Sequence, residues 1–258
     1  MPYYYNDHIL SQKKTMRVIA ILFIFFAFVG CSGDYNWGWY AISPFNKLGS
    51  SNINFLISGL GFTVSVSLIS IFFATLLGLL ISIIGMSKYK TFRYINITYI
   101  EIIRAVPVLV MILWIYYGLP VLVGINFSAF TAGIIALSVC DSPFLAEIFR
   151  SGFEAVPKGQ NEAGTSLGMR FYERFRLIIL PQAIKIILPA LGNQFVYMLK
   201  MSSLVSIIGL NELTRKANEL VVSQYRPLEI YTFLVLEYLI LILVISFLVR
   251  RMERKLSN

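Results

Sequence analysis

Long apolar runs separated by short polar segments dominate this chain. A helix of about 20 apolar residues is long enough to cross the hydrocarbon core of a membrane. Helices also satisfy their own backbone hydrogen bonds, which lipid cannot do. The pattern therefore predicts an all-α membrane protein with about six transmembrane helices. The apolar runs are residues 18–30, 55–86, about 95–123, about 127–149, 177–199 and 229–249.

The composition agrees with a membrane protein and argues against several other classes. Of the 258 residues, 57% are hydrophobic and 14% are charged, against about half and about a quarter in soluble domains. The short alternating segments typical of a β-barrel do not appear in the sequence. The two cysteines, Cys31 and Cys140, lie in or beside apolar runs and do not indicate a disulfide framework.

The polar residues argue against an enzyme. The single histidine, His8, lies in the N-terminal tail, which argues against a histidine-ligated metal centre or a histidine-based triad. The sequence has no phosphate-binding Gly-x4-Gly-Lys-Ser/Thr motif. We therefore expect no cofactor in this chain and no ATP hydrolysis by that route.

The net charge of +9 is concentrated at the ends of the apolar runs. This distribution is better explained by the positive-inside rule than by nucleic-acid binding. Basic clusters in 13–17, 88–93, 150–176 and 250–255 fall on one side if six spans are drawn, whereas loop 119–128 has no Lys or Arg. The charges therefore predict that both termini are cytoplasmic.

One segment departs from this rule. Residues 200–228 should be external, yet they contain Lys200, Arg215, Lys216 and Arg226. We interpret this segment as an interfacial helix with a re-entrant part.

The first apolar run allows two interpretations. Thirteen apolar residues after a basic start resemble a signal peptide, and 28–31 resembles a lipoprotein cleavage site at Cys31. The alternative is an uncleaved first helix that extends to about Gly33. We prefer the uncleaved helix, because it delivers the next span from the outside as the topology requires.

The polar segment 150–176 contains small residues between two apolar helices. Pro157 and Gly159 are expected to end the preceding helix, so that residues 160–167 form a short helix along the membrane surface. Gly168 suits the left-handed position that ends such a helix. The next helix should begin in 171–180 and bend at Pro181.

Features of the short helix predict a docking surface for a soluble partner. Glu162 lies near its start, where a negative charge suits the helix dipole. Ala163, Gly164 and Ser166 have little bulk, which would let another protein approach closely.

The spacing within this segment resembles the cytoplasmic EAA loop of ABC importer permeases. That loop reads Glu-Ala-Ala, three residues, Gly, nine residues, Ile-x-Leu-Pro, and the departure in this chain is Gly164 in place of Ala. Other stretches resemble motifs of the permeases for polar amino acids of the histidine, glutamine and arginine type. They are Arg104-Ala105-Val106-Pro107-Val108-Leu109, Tyr116-Tyr117-Gly118-Leu119-Pro120, Ala146-Glu147-Ile148-Phe149-Arg150 and Leu180-Pro181-Gln182-Ala183.

The resemblance covers residues from about 55 to 255 and implies a type I ABC importer permease. It implies a transmembrane domain of five helices at 55–258, preceded by a tail, an extra helix and an external loop at 1–54. The residues that it assigns to ATPase coupling are Gly159, Gln160, Glu162, Ala163, Gly164, Gly168, Leu180 and Pro181.

The resemblance also implies partners. Two cytoplasmic ATPase subunits would bind ATP and Mg. A periplasmic or lipid-anchored solute-binding protein and a second permease subunit, identical or related, would complete an importer in the bacterial inner membrane. Where the family usually has Lys-Asp-Thr-Ser-Leu, this chain has Lys200-Met201-Ser202-Ser203-Leu204, so the resemblance defines the class more closely than the solute.

Charged residues inside a membrane are costly and are candidate functional sites. Glu101 with Arg104 and Glu147 with Arg150 are three residues apart and can pair on one helix face. Asp141 lies next to Pro143, which is expected to break the helix, so a polar cavity is predicted there. The residues expected along a solute path are Asp141, Glu237, Lys200, Ser202 and Ser203.

Two alternatives to an amino acid importer remain open. The EAA loop is shared among importers, so the solute could be an opine, a peptide or an organic cation. The chain could also be a membrane scaffold that transports nothing. A membrane enzyme is disfavoured, because the carboxylates are scattered along the chain.

Overall fold

The computed structural model describes residues 35–257, with side chains for residues 35–253. Within this part of the chain, helices account for all the regular structure. The predicted first span at 18–30 and the possible cleavage site at Cys31 lie outside the described residues. The helices are α1 (Lys47–Ile57), α2 (Leu60–Gly85), α3 (Lys90–Ala105), α4 (Val108–Val123), α5 (Ala129–Glu154), α6 (Lys158–Ser166), α7 (Phe171–Ile208), α8 (Leu213–Gln224) and α9 (Pro227–Ser257), with a 3-10 turn at Trp39–Ile42.

Four described segments are long and apolar enough to cross a membrane, and a bent helix pair could form a fifth span. The four segments are Lys47–Gly85, Ala129–Glu154, Phe171–Ile208 and Pro227–Glu253. They correspond to the second, fourth, fifth and last predicted runs. The second run begins earlier than predicted, because α1 starts at Lys47, where the Asn46 side chain accepts a hydrogen bond from the Gly49 amide. The predicted domain boundary at 54/55 therefore falls within α1.

The third predicted span is not one straight helix. Helices α3 and α4 meet at a bend of 96°. Val106 at the bend is extended, with φ −92° and ψ 124°. Proline disfavours the α conformation in the residue before it, so Pro107 explains why the helix stops at this point.

Helices α4 and α7 each contain a π-turn that ends two residues before a proline. In α4 the turn is Trp114–Gly118 and the Leu119 amide donates to the Trp114 carbonyl, just before Pro120. In α7 the turn is Phe175–Ile179 and the Leu180 amide donates to the Phe175 carbonyl, just before Pro181. A proline lacks the N–H for the normal helical bond and its ring crowds the preceding turn, so a local five-residue turn accommodates it.

Pro143 does not break its helix, contrary to our expectation. Helix α5 continues through it from Ala129 to Glu154. Pro143 cannot donate to the carbonyl of Val139, and the Ser142 hydroxyl donates to that carbonyl instead, at 2.9 Å. The Ser142 hydroxyl also lies 2.9 Å from the Tyr99 hydroxyl of α3.

The core forms where α2, α5 and α7 pack together. The Ser138 hydroxyl of α5 donates to the Ser70 carbonyl of α2 at 3.0 Å, which joins the two helices by a polar contact inside the apolar core. Fully buried apolar side chains surround this contact. They include Val66, Ala74, Leu137, Leu145 and Met198.

The segment that we interpreted as an interfacial helix with a re-entrant part contains a short, capped helix. Helix α7 ends in a 3-10 turn at Ser202–Ile208, and Gly209 follows in the left-handed conformation. The Glu212 side chain then accepts from the amides of Thr214 and Arg215 at the start of α8. The Tyr238 hydroxyl of α9 donates to the same carboxylate at 2.9 Å, so Glu212 joins α8 to α9.

Candidate functional site

The polar segment between α5 and α7 folds into the short helix α6. Helix α5 ends at Glu154, and Pro157 with φ −56° and ψ 132° separates it from α6. The predicted helix at 160–167 is therefore present with bounds Lys158–Ser166. Gly159 does not act as a helix breaker, because it lies in the first turn of α6, and Gln160 follows it in the same helix.

Gly168 ends α6 as the sequence predicts. Its φ is +74°, a conformation that glycine adopts without the steric cost borne by other residues. The Gly168 amide donates to the Thr165 carbonyl at 2.9 Å, and the Met169 amide donates to the Gly164 carbonyl at 3.1 Å. These two bonds form a Schellman motif, which fixes where the chain leaves α6 for α7.

The small residues of α6 do not all face the same way. Glu162, Ala163 and Ser166 are exposed, whereas Gly164 is buried. Gly164 faces Arg174 and Ile178 of α7. Gly164 therefore packs against its own chain and is not part of the exposed face of α6, whereas its predicted part in ATPase coupling stays a prediction.

Large apolar side chains next to α6 are exposed, which the sequence analysis missed. Leu167, Phe171 and Tyr172 have exposed fractions of 80%, 71% and 68%. With Ala163 they form what we call the docking surface. Exposed apolar groups gathered at one place are typical of protein interfaces. The signal in the sequence was the presence of three large apolar or aromatic residues, Leu167, Phe171 and Tyr172, within the polar segment 150–176.

A groove of about 520 Å³ lies beside α6. It is lined by Phe153 at the end of α5, by Val156 and Pro157 in the linker, and by Asn161 of α6 and Ile179 of α7. Helix α6 packs against the π-turn of α7. Leu180 and Pro181 follow this turn directly. The two ends of the EAA-like segment, the small residues of α6 and the Leu-Pro pair, are therefore brought together by this packing.

A second candidate site lies inside the helix bundle at Asp141. Its side chain is 4% exposed, and the Gln194 amide of α7 donates to its Oδ1. The Oδ2 atom is buried and has no hydrogen-bond partner among the described residues. The carboxylate borders a cavity of about 20 Å³, which we call the Asp141 cavity. Its lining residues are Val108, Leu137, Cys140, Asp141, Phe144, Tyr197, Met198 and Met201.

The Asp141 cavity draws on three helices. Val108 begins α4 directly after the bend at Pro107, and the other residues come from α5 and α7. The volume is enough for about one water molecule, so a larger solute requires the helices to separate. The sequence analysis singled out Asp141 but missed Gln194 and Tyr197. The pair Asn193-Gln194, polar in the middle of an apolar run, was the signal that could have indicated them.

The expected ion pair between Glu101 and Arg104 is not formed. Among the described residues the Arg104 guanidinium lies instead over the Phe144 ring, 4.7 Å from its centroid. Cations are attracted to the negative face of an aromatic ring. Phe144 lines the Asp141 cavity, so Arg104 packs on a residue of the cavity wall but does not itself line the cavity.

The second expected pair is confirmed and extended. Arg150 forms ion pairs with Glu147 and, at 2.8 Å, with Glu154. All three residues lie on one face of α5, at spacings that bring side chains together. The side chains are about half exposed, so we expect these pairs to contribute little to stability.

The other residues predicted along the solute path do not line the Asp141 cavity. Lys200 is exposed, and the hydroxyls of Ser202 and Ser203 donate to the carbonyls of Leu199 and Lys200 in their own helix. Glu237 lies on α9. Both of its carboxylate oxygens are buried without a hydrogen-bond partner among the described residues.

These features define a helical membrane protein with a short exposed helix between two spans and a buried polar cavity. The chain belongs to the family of binding-protein-dependent transport system inner membrane components, which matches residues 74–258. Members of this family are integral inner membrane components and do not hydrolyse ATP, because the ATPase is a separate subunit.

Named relatives match most of the chain. It is 34% identical to the glutamine transport system permease protein GlnP of Escherichia coli (strain K12) over 220 residues, which cover 85% of this chain and 97% of the relative. It is 32% identical to the arginine transport system permease protein ArtQ of Bacillus subtilis (strain 168) over 206 residues, which cover 80% and 94%.

A solved structure of an amino acid ABC transporter with histidines has the same fold. Its chain superimposes with a TM-score of 0.78 at 39% identity, covering 86% of this chain and all of the other. The apolar spans and the short helix α6 are therefore the architecture of a type I ABC importer permease.

Proposed function

We propose that this chain is the permease subunit of an ATP-driven importer that moves polar amino acids across the bacterial cytoplasmic membrane. The observation that carries the proposal is the docking surface, which is formed by α6 and the residues that follow it, within the segment that has the EAA spacing. The amino acid solute is supported by the names of the relatives, since these are glutamine and arginine permeases.

The partners follow from this role. Two ATPase subunits bind the docking surfaces of two permease subunits, which are identical or related chains. A periplasmic or lipid-anchored binding protein delivers the solute from outside. The N- and C-termini are cytoplasmic, which places α6 on the side where ATP is available.

Transport proceeds by alternating access. The ATPases move toward each other when ATP binds and carry α6 with them. Because α6 packs against the π-turn of α7, the movement reaches α7 and separates it from α5 at the Asp141 cavity. Nucleotide favours one of the two states by binding it more tightly.

The Asp141 cavity receives the solute. The free Oδ2 of Asp141 can accept hydrogen bonds from the ammonium group that every amino acid carries. Arg104, which packs on the cavity residue Phe144, supplies the opposite charge for a carboxylate once the helices separate. A buried carboxylate with one unsatisfied oxygen is costly, and a cationic group of the solute would offset that cost.

The proposal is tested by purifying the tagged chain from native membranes in mild detergent and identifying what co-purifies. We expect an ABC ATPase with the wild type, and loss of that ATPase with Leu167→Asp, which places a charge in the docking surface. Tyr225→Asp is the matched control, because Tyr225 is also highly exposed, at 82%, but lies on another segment. Recovery of no ATPase with the wild type, even after crosslinking, would favour the scaffold interpretation.

A further inference from the structure

The Gly164 position in α6 faces the side chain of Arg174 in the first turn of α7. A Cβ atom placed on Gly164 would lie 2.9 Å from Arg174 Cδ, 3.0 Å from Arg174 Cγ and 3.1 Å from Ile178 Cδ1. These are shorter than ordinary van der Waals contacts between carbon atoms. Gly164 therefore leaves the space that the Arg174 side chain occupies.

Two nitrogen atoms of the Arg174 guanidinium donate hydrogen bonds within this region. Its Nε donates to Asn161 Oδ1 of α6 at 2.9 Å. Its Nη1 donates to the Met169 carbonyl at 2.8 Å, in the turn that follows α6. The rigid guanidinium thus binds the helix and its C-terminal turn together, which a lysine with a single ammonium group could not do in the same geometry.

The two residues form one unit. The Cγ and Cδ atoms of Arg174 lie against Gly164 while its Nε reaches Asn161, and the Schellman turn around Gly168 presents the Met169 carbonyl to its Nη1. The departure of this chain from the Glu-Ala-Ala pattern therefore has a physical explanation. Alanine at 164 and arginine at 174 cannot both adopt the positions seen here without a shift.

We infer that Arg174 is a positioning residue that transmits the movement of α6 to α7, and that Gly164 is required only because Arg174 is present. The inference rests on the proposed function, since it assumes that α6 is moved by an ATPase. Through the contact, a displacement of α6 is carried to the start of α7, whose other end lines the Asp141 cavity.

The test measures solute transported per ATP hydrolysed in proteoliposomes that contain the complete importer. Arg174→Ala should lower this ratio by at least about tenfold, since each of the two lost hydrogen bonds from the charged group contributes about 1.5–3 kcal/mol, while the ATPase still co-purifies. Arg174→Lys should lower the ratio less. A purely structural role would reduce the amount of folded complex and would lower transport and hydrolysis together.

The double-variant comparison is the sharper part of the test. Gly164→Ala should lower the ratio in the wild-type background, because the methyl group displaces Arg174. In the Arg174→Ala background, Gly164→Ala should leave the ratio unchanged or raise it, because the Arg174 side chain no longer occupies the space that the new methyl group enters. Such a difference between backgrounds measures the interaction of two residues.

Arg176→Ala is the control for loss of a nearby charge. Arg176 is exposed and its side chain makes no hydrogen bond or ion pair with the described residues. Equal effects of Gly164→Ala in both backgrounds, or a wild-type ratio for Arg174→Ala, would overturn the inference while leaving the importer function intact. A wild-type complex without ATP-dependent transport would instead contradict the proposed function.

Discussion

The Ser142 hydroxyl donates a hydrogen bond of 2.9 Å to the carbonyl of Val139, the group that Pro143 leaves without its usual helical donor. Helix α5 therefore crosses the bundle without a break although it contains a proline. A buried carbonyl without a partner is costly, so this one side chain keeps α5 continuous next to Asp141.

The Ser142→Ala substitution should destabilise the protein mainly because Pro143 leaves the Val139 carbonyl without a backbone donor. We expect Ser142→Ala to lower the free energy of unfolding by about 1–2 kcal/mol, the cost of an unsatisfied buried acceptor. In a Pro143→Ala background the backbone amide of the new alanine can donate to the Val139 carbonyl, so the cost of Ser142→Ala should be smaller. Thermal unfolding of the wild type, the two single variants and the double variant in one detergent measures this. Equal costs in both backgrounds would contradict the explanation.

Substitution of Gly168 by aspartate should uncouple transport from ATP hydrolysis. The φ of +74° is strained for other residues and costs about 1 kcal/mol, and the new negative charge at the end of α6 opposes the helix dipole. Gly124→Asp is the matched control, since Gly124 has a φ of +72° and equally open surroundings at the end of α4. We expect uptake by cells to be lost in the first variant and retained in the second.

The Glu162→Lys variant extends this prediction to the exposed face of α6. Glu162 is exposed, so the change should not affect folding, but it reverses the charge at the surface that we propose meets the ATPase. Normal uptake by both Gly168→Asp and Glu162→Lys, at normal expression, would rule out coupling through α6.

The short-range features of this fold could be predicted from the sequence, because their causes lie within a few residues. Pro157 and Gly168 bound α6, and the left-handed conformation of Gly168 follows from a glycine placed directly after a short helix. The spans follow from apolar length. The bend at Pro107 could have been predicted from the valine–proline pair, but a long apolar run concealed it.

The contacts that define the sites depend on packing between distant segments, so they could not be predicted. Gly164 was expected to face a partner because it is small, but the neighbour that needs the space is Arg174 of the same chain. Likewise Pro143 indicated a break, and the hydroxyl of the preceding serine offsets it. Gln194 became significant only once α7 was seen to pack against Asp141.

Two glutamates whose carboxylate oxygens are buried should respond in opposite directions to replacement by methionine. Glu237 has no hydrogen-bond partner among the described residues for either oxygen, so Glu237→Met should raise the free energy of unfolding by about 1–3 kcal/mol. Glu212 accepts bonds from two amides and from Tyr238, so Glu212→Met should lower it by about 1–2 kcal/mol, the usual value for a lost helix cap.

Thermal unfolding and uptake, measured on the same Glu237 and Glu212 variants, separate structural from functional roles. If Glu237→Met raises stability and leaves uptake normal, Glu237 does not contact the solute. If it raises stability and abolishes uptake, Glu237 belongs to the solute path as the sequence indicated. A loss of stability would contradict the prediction, because it would mean that the Glu237 carboxylate makes a stabilising contact.

Recognition of the solute by Asp141 should be detectable as a preference for an ammonium group. A hydrogen bond to a charged group contributes about 1.5–3 kcal/mol, so Asp141→Asn should weaken amino acid binding by about 10- to 150-fold. Binding is best measured directly on the permease–ATPase complex without the external binding protein, because that protein imposes a selectivity of its own. The probes are an amino acid and its analogue in which hydrogen replaces the ammonium group. We expect the wild type to prefer the amino acid strongly and Asp141→Asn to bind the two with similar affinity. An unchanged preference in the variant would exclude Asp141 from ammonium recognition, and Tyr197 and Gln194 would then be tested in the same way.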